Sequence, residues 1–142
     1  METTTTEGRI LEALEEDAQA SYAEIADRAG VSKPTVRKYI DRLEEEGVIV
    51  GYSADLDPKK LSGQSIALVG VDVASEEYVE ATRALKRLDA VEALYTSSGD
   101  HMLMAEVRAP DGDALGAVIS DQILGIEGVT AAHPSFLQER LK

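Results

Sequence analysis

The stretch Tyr22–Leu43, YAEIADRAGVSKPTVRKYIDRL, decides how this chain is read. It divides at Gly30 into two helical patterns. In the first, Ile25, Ala26 and Ala29 share one face, and Ser21 precedes it as an N-cap. Gly30 supplies a residue able to take positive φ where that helix stops. The second starts after Ser32, with Pro34 in its first turn, where a missing N–H costs nothing. Val36, Ile40 and Leu43 form its buried stripe, it runs to about Glu46, and Gly47 ends it. Two helices joined by a short glycine-bearing turn, with small Ala26 at the crossing and Val36 packing back, define a helix-turn-helix.

The outward side of the second helix carries Ser32, Lys33, Thr35, Arg37, Lys38 and Arg42. The window 22–43 holds five basic and three acidic residues, whereas residues 1–20 hold one basic and six acidic. The chain as a whole has a formal charge of −13. Positive charge is therefore local, which is what contact with DNA phosphates requires. These six residues are the predicted DNA contacts. Arg37 is the expected base reader, because a guanidinium pairs bidentately with guanine. Arg42 and Ser32 are assigned to phosphate. A helix pair with basic residues solvating its surface is the plainer alternative; the packing positions and the segment that follows favour DNA binding.

Upstream, Ile10, Leu11 and Leu14 predict a helix over 6–18, with Thr4 and Glu7 as a capping box. Downstream, VIVGYSADLD reads as two short strands around Gly51, a wing. The Pro-, Gly- and Ser-bearing DPKKLSG then marks a boundary near Leu61–Gln64. Two domains follow, 1–61 and 62–142. In the second, a β-rich segment (65–74) precedes a helix with Ser75 as N-cap and Tyr78, Val79, Thr82, Leu85 and Leu88 near helical spacing. VEALYTSS and HMLMAEVRA are strands joined at Gly99–Asp100. DGDALGAVISDQILGI is an amphipathic helix, and a last strand contains Pro134, which an edge or a bulge tolerates. The order β-α-β-β-α-β is the ferredoxin-like arrangement. The fold class is thus α+β, a winged helix-turn-helix followed by a ferredoxin-like domain. Its sheet has two helices on one face and a bare second face, which predicts a homodimer.

Composition excludes several classes. There is no cysteine, hence no disulfide, thiolate zinc site or cysteine nucleophile. No run approaches a membrane span, and the N-terminus lacks a signal-peptide pattern, so a cytoplasmic location is expected. No nucleophile elbow, phosphate loop or metal-ligand helix appears; no enzyme and no cofactor is expected. Alternation puts His101 on one strand face and Met102 and Met104 on the other, so no metal site is expected and the methionines are read as core filler. His133 is read as a solvated or interface histidine within reach of the hairpin. The 27 acidic residues against 14 basic, with one Phe and no Trp, fit a protein that works in concentrated salt.

The segment ILEALEEDAQASYAEIADRAGVSKPTVRKYIDRLEEEGVIVGYSADLDPKKLS resembles the N-terminal domain of the Lrp/AsnC, or feast/famine, transcriptional regulators. RLEEEGVIVGY and the following DP are especially characteristic. SSGDHMLMAEV resembles that family's Thr-Gly-x-x-Asp hairpin region. The resemblance covers nearly the whole chain. It implies sequence-specific binding of double-stranded DNA and dimers joined through C-terminal sheets, which assemble further into tetramers or octamers. It also implies a small effector, usually an amino acid, between C-terminal domains near the hairpin. Carried onto this sequence, the effector candidates are Ser97, Ser98, Gly99, Asp100 and His101. Asp100 would receive an ammonium group, and backbone N–H groups of the turn a carboxylate. His101–Met102 departs from the family's usual Tyr or acidic residue after Gly-Asp. An effector-free assembly or DNA-organising protein of the same fold, or an amino-acid sensor without DNA binding, is the alternative.

Overall fold

The computed structural model describes residues 5–61 and 63–142. Three helices open the chain: α1 (Thr6–Glu16), α2 (Tyr22–Ala29) and α3 (Lys33–Glu45). The α1 cap differs from expectation. Thr4 lies outside the described residues; the cap is Thr5, whose Oγ1 accepts from Gly8 N at 3.0 Å. The residue three positions on is Gly8, with no side chain to reach back, so no capping box forms. Around α2 the box is complete, with Ser21 Oγ accepting from Glu24 N and Glu24 Oε2 from Ser21 N. Gly30 closes α2 at φ +71°, and Gly47 follows α3 at φ +72°. Ile10, Ala13, Ile25, Ala26, Ala29, Val36 and Ile40 bury together, so the core of this unit is the set of inward stripes of its three helices.

The two wing strands are not formed. Residues 50–56 carry no ladder, and Val50 is 94% exposed. Gly51 does not adopt positive φ, so the chain makes no primed turn there, and a short isolated ribbon is marginal in any case. The segment is instead attached to α3. Val48 N and Ile49 N both donate to Leu43 O, and Tyr52 Oη donates to Glu44 Oε1 at 2.9 Å.

The first compact unit ends at Asp55 and the second begins at Leu56. Residues 57–60, which the sequence assigns to the first domain, are held to the second. Asp57 Oδ1 accepts from both Lys59 N and Arg140 N at 3.0 Å, and Lys59 pairs with Glu139 at 3.4 Å.

The second unit contains β1 (Ser65–Val73), α4 (Tyr78–Arg87), β2 (Val91–Thr96), β3 (Leu103–Ala109), α5 (Gly112–Ala117) and β4 (Val129–Leu137). The strands form one antiparallel sheet in the order β2-β3-β1-β4, the ferredoxin-like order. Ser75 does not cap α4. It opens a 3₁₀ turn (Ser75–Glu77) with no side-chain cap, and Ala74 N before it donates to Gly128 O at 2.8 Å. Val79 is exposed, and Ala81 and Leu85 supply the buried stripe. After α5, capped by Asp111, the chain widens into a π turn (Val118–Ile123). β4 is an edge strand, where one flank needs no ladder partner, and Pro134 sits there opposite Val69.

Alternation divides the sheet cleanly. Ala67, Val69, Val71 and Val73 of β1 and Leu103, Ala105, Val107 and Ala109 of β3 pack against Ala81, Leu85, Leu115, Val118, Ile119 and Ile123 of the helices. The other face carries Leu68, Gly70 and Asp72, Met104, Glu106 and Arg108, Tyr95 and His133, since directly paired residues share a face. Leu68 is 40% exposed and Tyr95 65%. This second face is open at Leu68 and Tyr95 but closed at Ile66, which is 3% exposed, and at Gly70, over which the His101 ring lies.

Candidate DNA interface and effector hairpin

The six predicted DNA contacts occupy different situations on α3. Ser32 is its N-cap: Oγ accepts from Thr35 N at 3.3 Å and lies 2.9 Å from Thr35 Oγ1. The two hydroxyls therefore lock the first turn and present one linked polar edge. Lys33, Arg37 and Lys38 are exposed. Arg42 is engaged. Its guanidinium pairs with Glu7 of α1, approaches Glu46 at 3.9 Å and lies 4.8 Å from the centre of the Tyr39 ring. That geometry fits a tie between α3 and α1, so a phosphate contact would compete with three existing partners.

Charge on α3 is polarised along its axis. From Lys33 to Lys38 there are three cations and no anion. From Asp41 to Glu46 there are four anions against Arg42. The helix N-terminus adds its own positive potential. The amino-terminal half is therefore attractive to DNA, and the carboxy-terminal half is repulsive, with Arg42 offsetting part of the Glu46 charge while Glu44 is hydrogen-bonded by the neutral Tyr52 hydroxyl. Burial and the hydrogen bond to Glu44 push the Tyr52 hydroxyl up to about 12, so it stays a donor across the working range.

The second candidate site is the hairpin between β2 and β3. Ser97 N donates to Met102 O at 2.9 Å and Gly99 N to Ser97 Oγ at 3.2 Å. Two of the N–H groups assigned to a ligand carboxylate thus have internal acceptors. Ser97, Ser98, Gly99 and Asp100 are exposed at the tip. His101 is separated from them: its ring lies on the uncovered sheet face, stacked on His133 at 4.3 Å between centroids and 21° between planes. His101 Nδ1 lies 3.2 Å, and His133 Nε2 3.3 Å, from Asp72 Oδ2. Burial alone would raise the Asp72 carboxyl. The hydrogen bond and charge of His101, with the Met102 backbone N–H and His133 adding, outweigh it and hold Asp72 below the ordinary value of 3.8.

Two expectations change here. Strict alternation does not apply to His101, because β3 begins only at Leu103. Met104 is not core filler, since it stands opposite Gly70 on the uncovered face while Leu103 and Ala105 fill the core. Asp72 was absent from the sequence reading. The available signal was Gly70, a glycine inside a β-rich run, which marks a close approach of another group. A Cβ there would collide with the His101 ring.

A helix-turn-helix with a cationic leading half, joined to a ferredoxin-like regulatory domain, defines a DNA-binding transcriptional regulator. Residues 3–50 match the winged helix-turn-helix DNA-binding model, and residues 66–142 match the Lrp/AsnC ligand binding domain. The chain belongs to the Lrp/AsnC family. It is 81% identical over the full length of both chains to the HTH-type transcriptional regulator LrpA1 of Halobacterium salinarum, which supports the halophilic reading. It is 44% identical to LrpA of Pyrococcus horikoshii, with 94% of each chain covered. These relatives are named as regulators, not enzymes. Among solved structures, Escherichia coli AsnC superposes with a TM-score of 0.67 at 28% identity, covering 96% of this chain and 93% of that one. A Neisseria meningitidis transcriptional regulator in complex with L-Met shares the fold, with a TM-score of 0.71 at 22% identity, covering 96% and 90% of the two chains. No helix among the described residues is long and apolar enough to cross a membrane.

Proposed function

We propose that this regulator reads DNA with the first two turns of α3 and is controlled by a small amino-acid effector bound near the β2–β3 hairpin. The observation that carries the DNA half is the axial polarity of α3: Lys33, Arg37 and Lys38 stand together, ahead of the acidic end. Arg37 is assigned to a base edge, Lys33 and Lys38 to phosphates, and the Ser32–Thr35 pair to the backbone at the helix start. Arg42 orients α3 through Glu7 of α1, its guanidinium lying over Tyr39 of its own helix. Two such helices in a dimer address half-sites roughly one helical turn apart.

The effector half rests on the match of residues 66–142 to a ligand binding domain and on the L-Met held by the Neisseria relative of the same fold. Ser97, Ser98, Gly99 and Asp100 remain the candidate contacts at the exposed tip, with Asp100 receiving the ammonium group. The uncovered sheet face, with Leu68, Met104 and Tyr95, is assigned to the dimer contact. An effector then acts through its different affinity for two packings of the dimers.

The test combines two measurements in high KCl. Gel-shift titration of Arg37→Ala is expected to show affinity reduced about 5- to 150-fold, the value of one bidentate base contact. Melting of the wild type against the twenty amino acids is expected to show one or two that raise Tm, with the shift abolished in Asp100→Ala. Unchanged DNA affinity removes the α3 assignment. No shift with any amino acid leaves a regulator whose C-terminal domain serves assembly alone.

A further inference from the structure

We propose that Asp72, His101 and His133 form a binding site for a divalent transition-metal ion on the uncovered face of the sheet. The three come from different elements: Asp72 from β1, His101 from the loop before β3 and His133 from β4. Each offers one ligand atom, and these atoms lie within 4.8 Å of one another. The two Asp72–histidine separations, 3.2 and 3.3 Å, are already those of atoms sharing an ion. Two ligands each about 2.0–2.1 Å from a metal are about 2.8–3.0 Å apart at an octahedral angle and about 3.3–3.4 Å apart at a tetrahedral one. Rotation of the half-exposed His133 ring closes the set.

The chemistry of the donors selects the ion. Two imidazoles and one carboxylate suit Zn²⁺, Ni²⁺, Co²⁺ or Cu²⁺ and are poor ligands for Mg²⁺ or Ca²⁺, which prefer all-oxygen sets. Three protein ligands leave at least one position open for water or another donor.

A hydrogen-bonded cluster alone accounts for the contacts, but it is a weak reason for this construction. Before two chains meet on this face such bonds add little, because water competes for both partners. Yet β1 carries a glycine at its centre, and a side chain there would displace the His101 ring. Two nearly parallel rings turn one nitrogen each toward the same carboxylate, His101 through Nδ1 and His133 through Nε2. A bound ion would fasten the hairpin loop to β1 and β4 by one centre.

The composition makes the test clean. The chain has two histidines and no cysteine, so any imidazole-dependent binding in the untagged protein arises here. Chelator-treated full-length protein in high KCl would be titrated with Zn²⁺ by calorimetry and with Co²⁺ by visible absorption. One ion per chain is expected, with Co²⁺ d–d bands of nitrogen–oxygen ligation. His133→Ala and Asp72→Asn are expected to lose this binding. Gly70→Ala, which displaces a ligand without removing one, is expected to weaken it about 10–100-fold, as disturbance of a ligand's support does. Circular dichroism confirms that each variant is folded, and His133→Ala, at an exposed position, guards against a misfolded Asp72 variant. Absence of stoichiometric binding overturns the proposal. So does binding that is the same in wild type and His133→Ala, because the ion then resides on the acidic surface.

Discussion

Asp57 shows how a single carboxylate can do the work of a domain boundary. It follows Leu56 and precedes Pro58, and its Oδ1 takes hydrogen bonds from Lys59 N and Arg140 N, fastening the start of the second unit to the chain's end. The Arg140 N–H, aided by the Lys59 N–H and the lysine charges, holds its carboxyl below the usual 3.8 against a smaller opposing effect of desolvation. A carboxylate with a depressed folded pKa contributes stability that is present above the unfolded value and disappears as pH falls through the folded one. Asp57→Asn is therefore expected to lower Tm at pH 7 and to converge with the wild type only as pH falls through the depressed folded-state value. Parallel melting curves that keep the same gap at pH 7 and in acid would contradict this. Gly30 offers a second check at the same scale. Its φ of +71° is left-handed, with open space where a Cβ would go, so Gly30→Ala strains only the backbone. About 1–2 kcal/mol of destabilisation is expected from chemical denaturation.

At the scale of elements, α3 combines three requirements in one helix. Its inward stripe, Val36, Ile40 and Leu43, fixes its position, its first two turns carry the cations, and its last turns carry anions offset in part by Arg42, with Glu44 hydrogen-bonded by Tyr52. Ser32→Ala removes the acceptor for Thr35 N and is expected to cost about 1 kcal/mol of stability, like other cap deletions. Arg42→Ala separates the two roles of basic residues on this helix. Melting temperature should fall because the links to Glu7 and Tyr39 are lost, while DNA affinity should fall less than in Arg37→Ala. Equal losses of affinity in both variants would return Arg42 to the phosphate contacts. The wing illustrates the opposite case. Its residues alternate as strands do, but alternation specifies faces and not a partner, and no ladder forms across residues 50–56.

For the whole molecule, the decisive quantities are net charge and the uncovered sheet face. A charge of −13 on 142 residues opposes DNA overall, against the local attraction of the first two turns of α3. A dimer neutralising about eight phosphates would lose affinity with a log–log slope near −7 in salt, leaving little simple attraction in molar KCl. Base contacts and multivalent assembly must supply the rest. Gel shifts are expected to persist in KCl well above a few hundred millimolar; complete loss by that concentration would refute the expectation. The sheet face makes a separate prediction. Leu68→Lys places a charge at its centre, and sedimentation is expected to show a shift from dimer toward monomer with the fold retained.

The sequence by itself determined what depends on near neighbours in the chain. Helix limits at Ser21, Gly30, Ser32 and Gly47 follow from capping and left-handed geometry, and the buried stripes of α2 and α3 and the β-α-β-β-α-β succession of elements follow from periodicity. The cationic half of α3 was legible for the same reason, since residues 33–38 sit within two turns. Tertiary structure decided what depends on distant segments meeting. Arg42 pairs with Glu7 because α1 lies beside it. Asp57 joined the second unit because the C-terminal segment passes close. Asp72, His101 and His133 converged because β1 pairs with both β3 and β4, while the loop before β3 folds back over Gly70. Separations of 29 and 32 positions along the chain carry no periodic signal, so only packing brings those three side chains together.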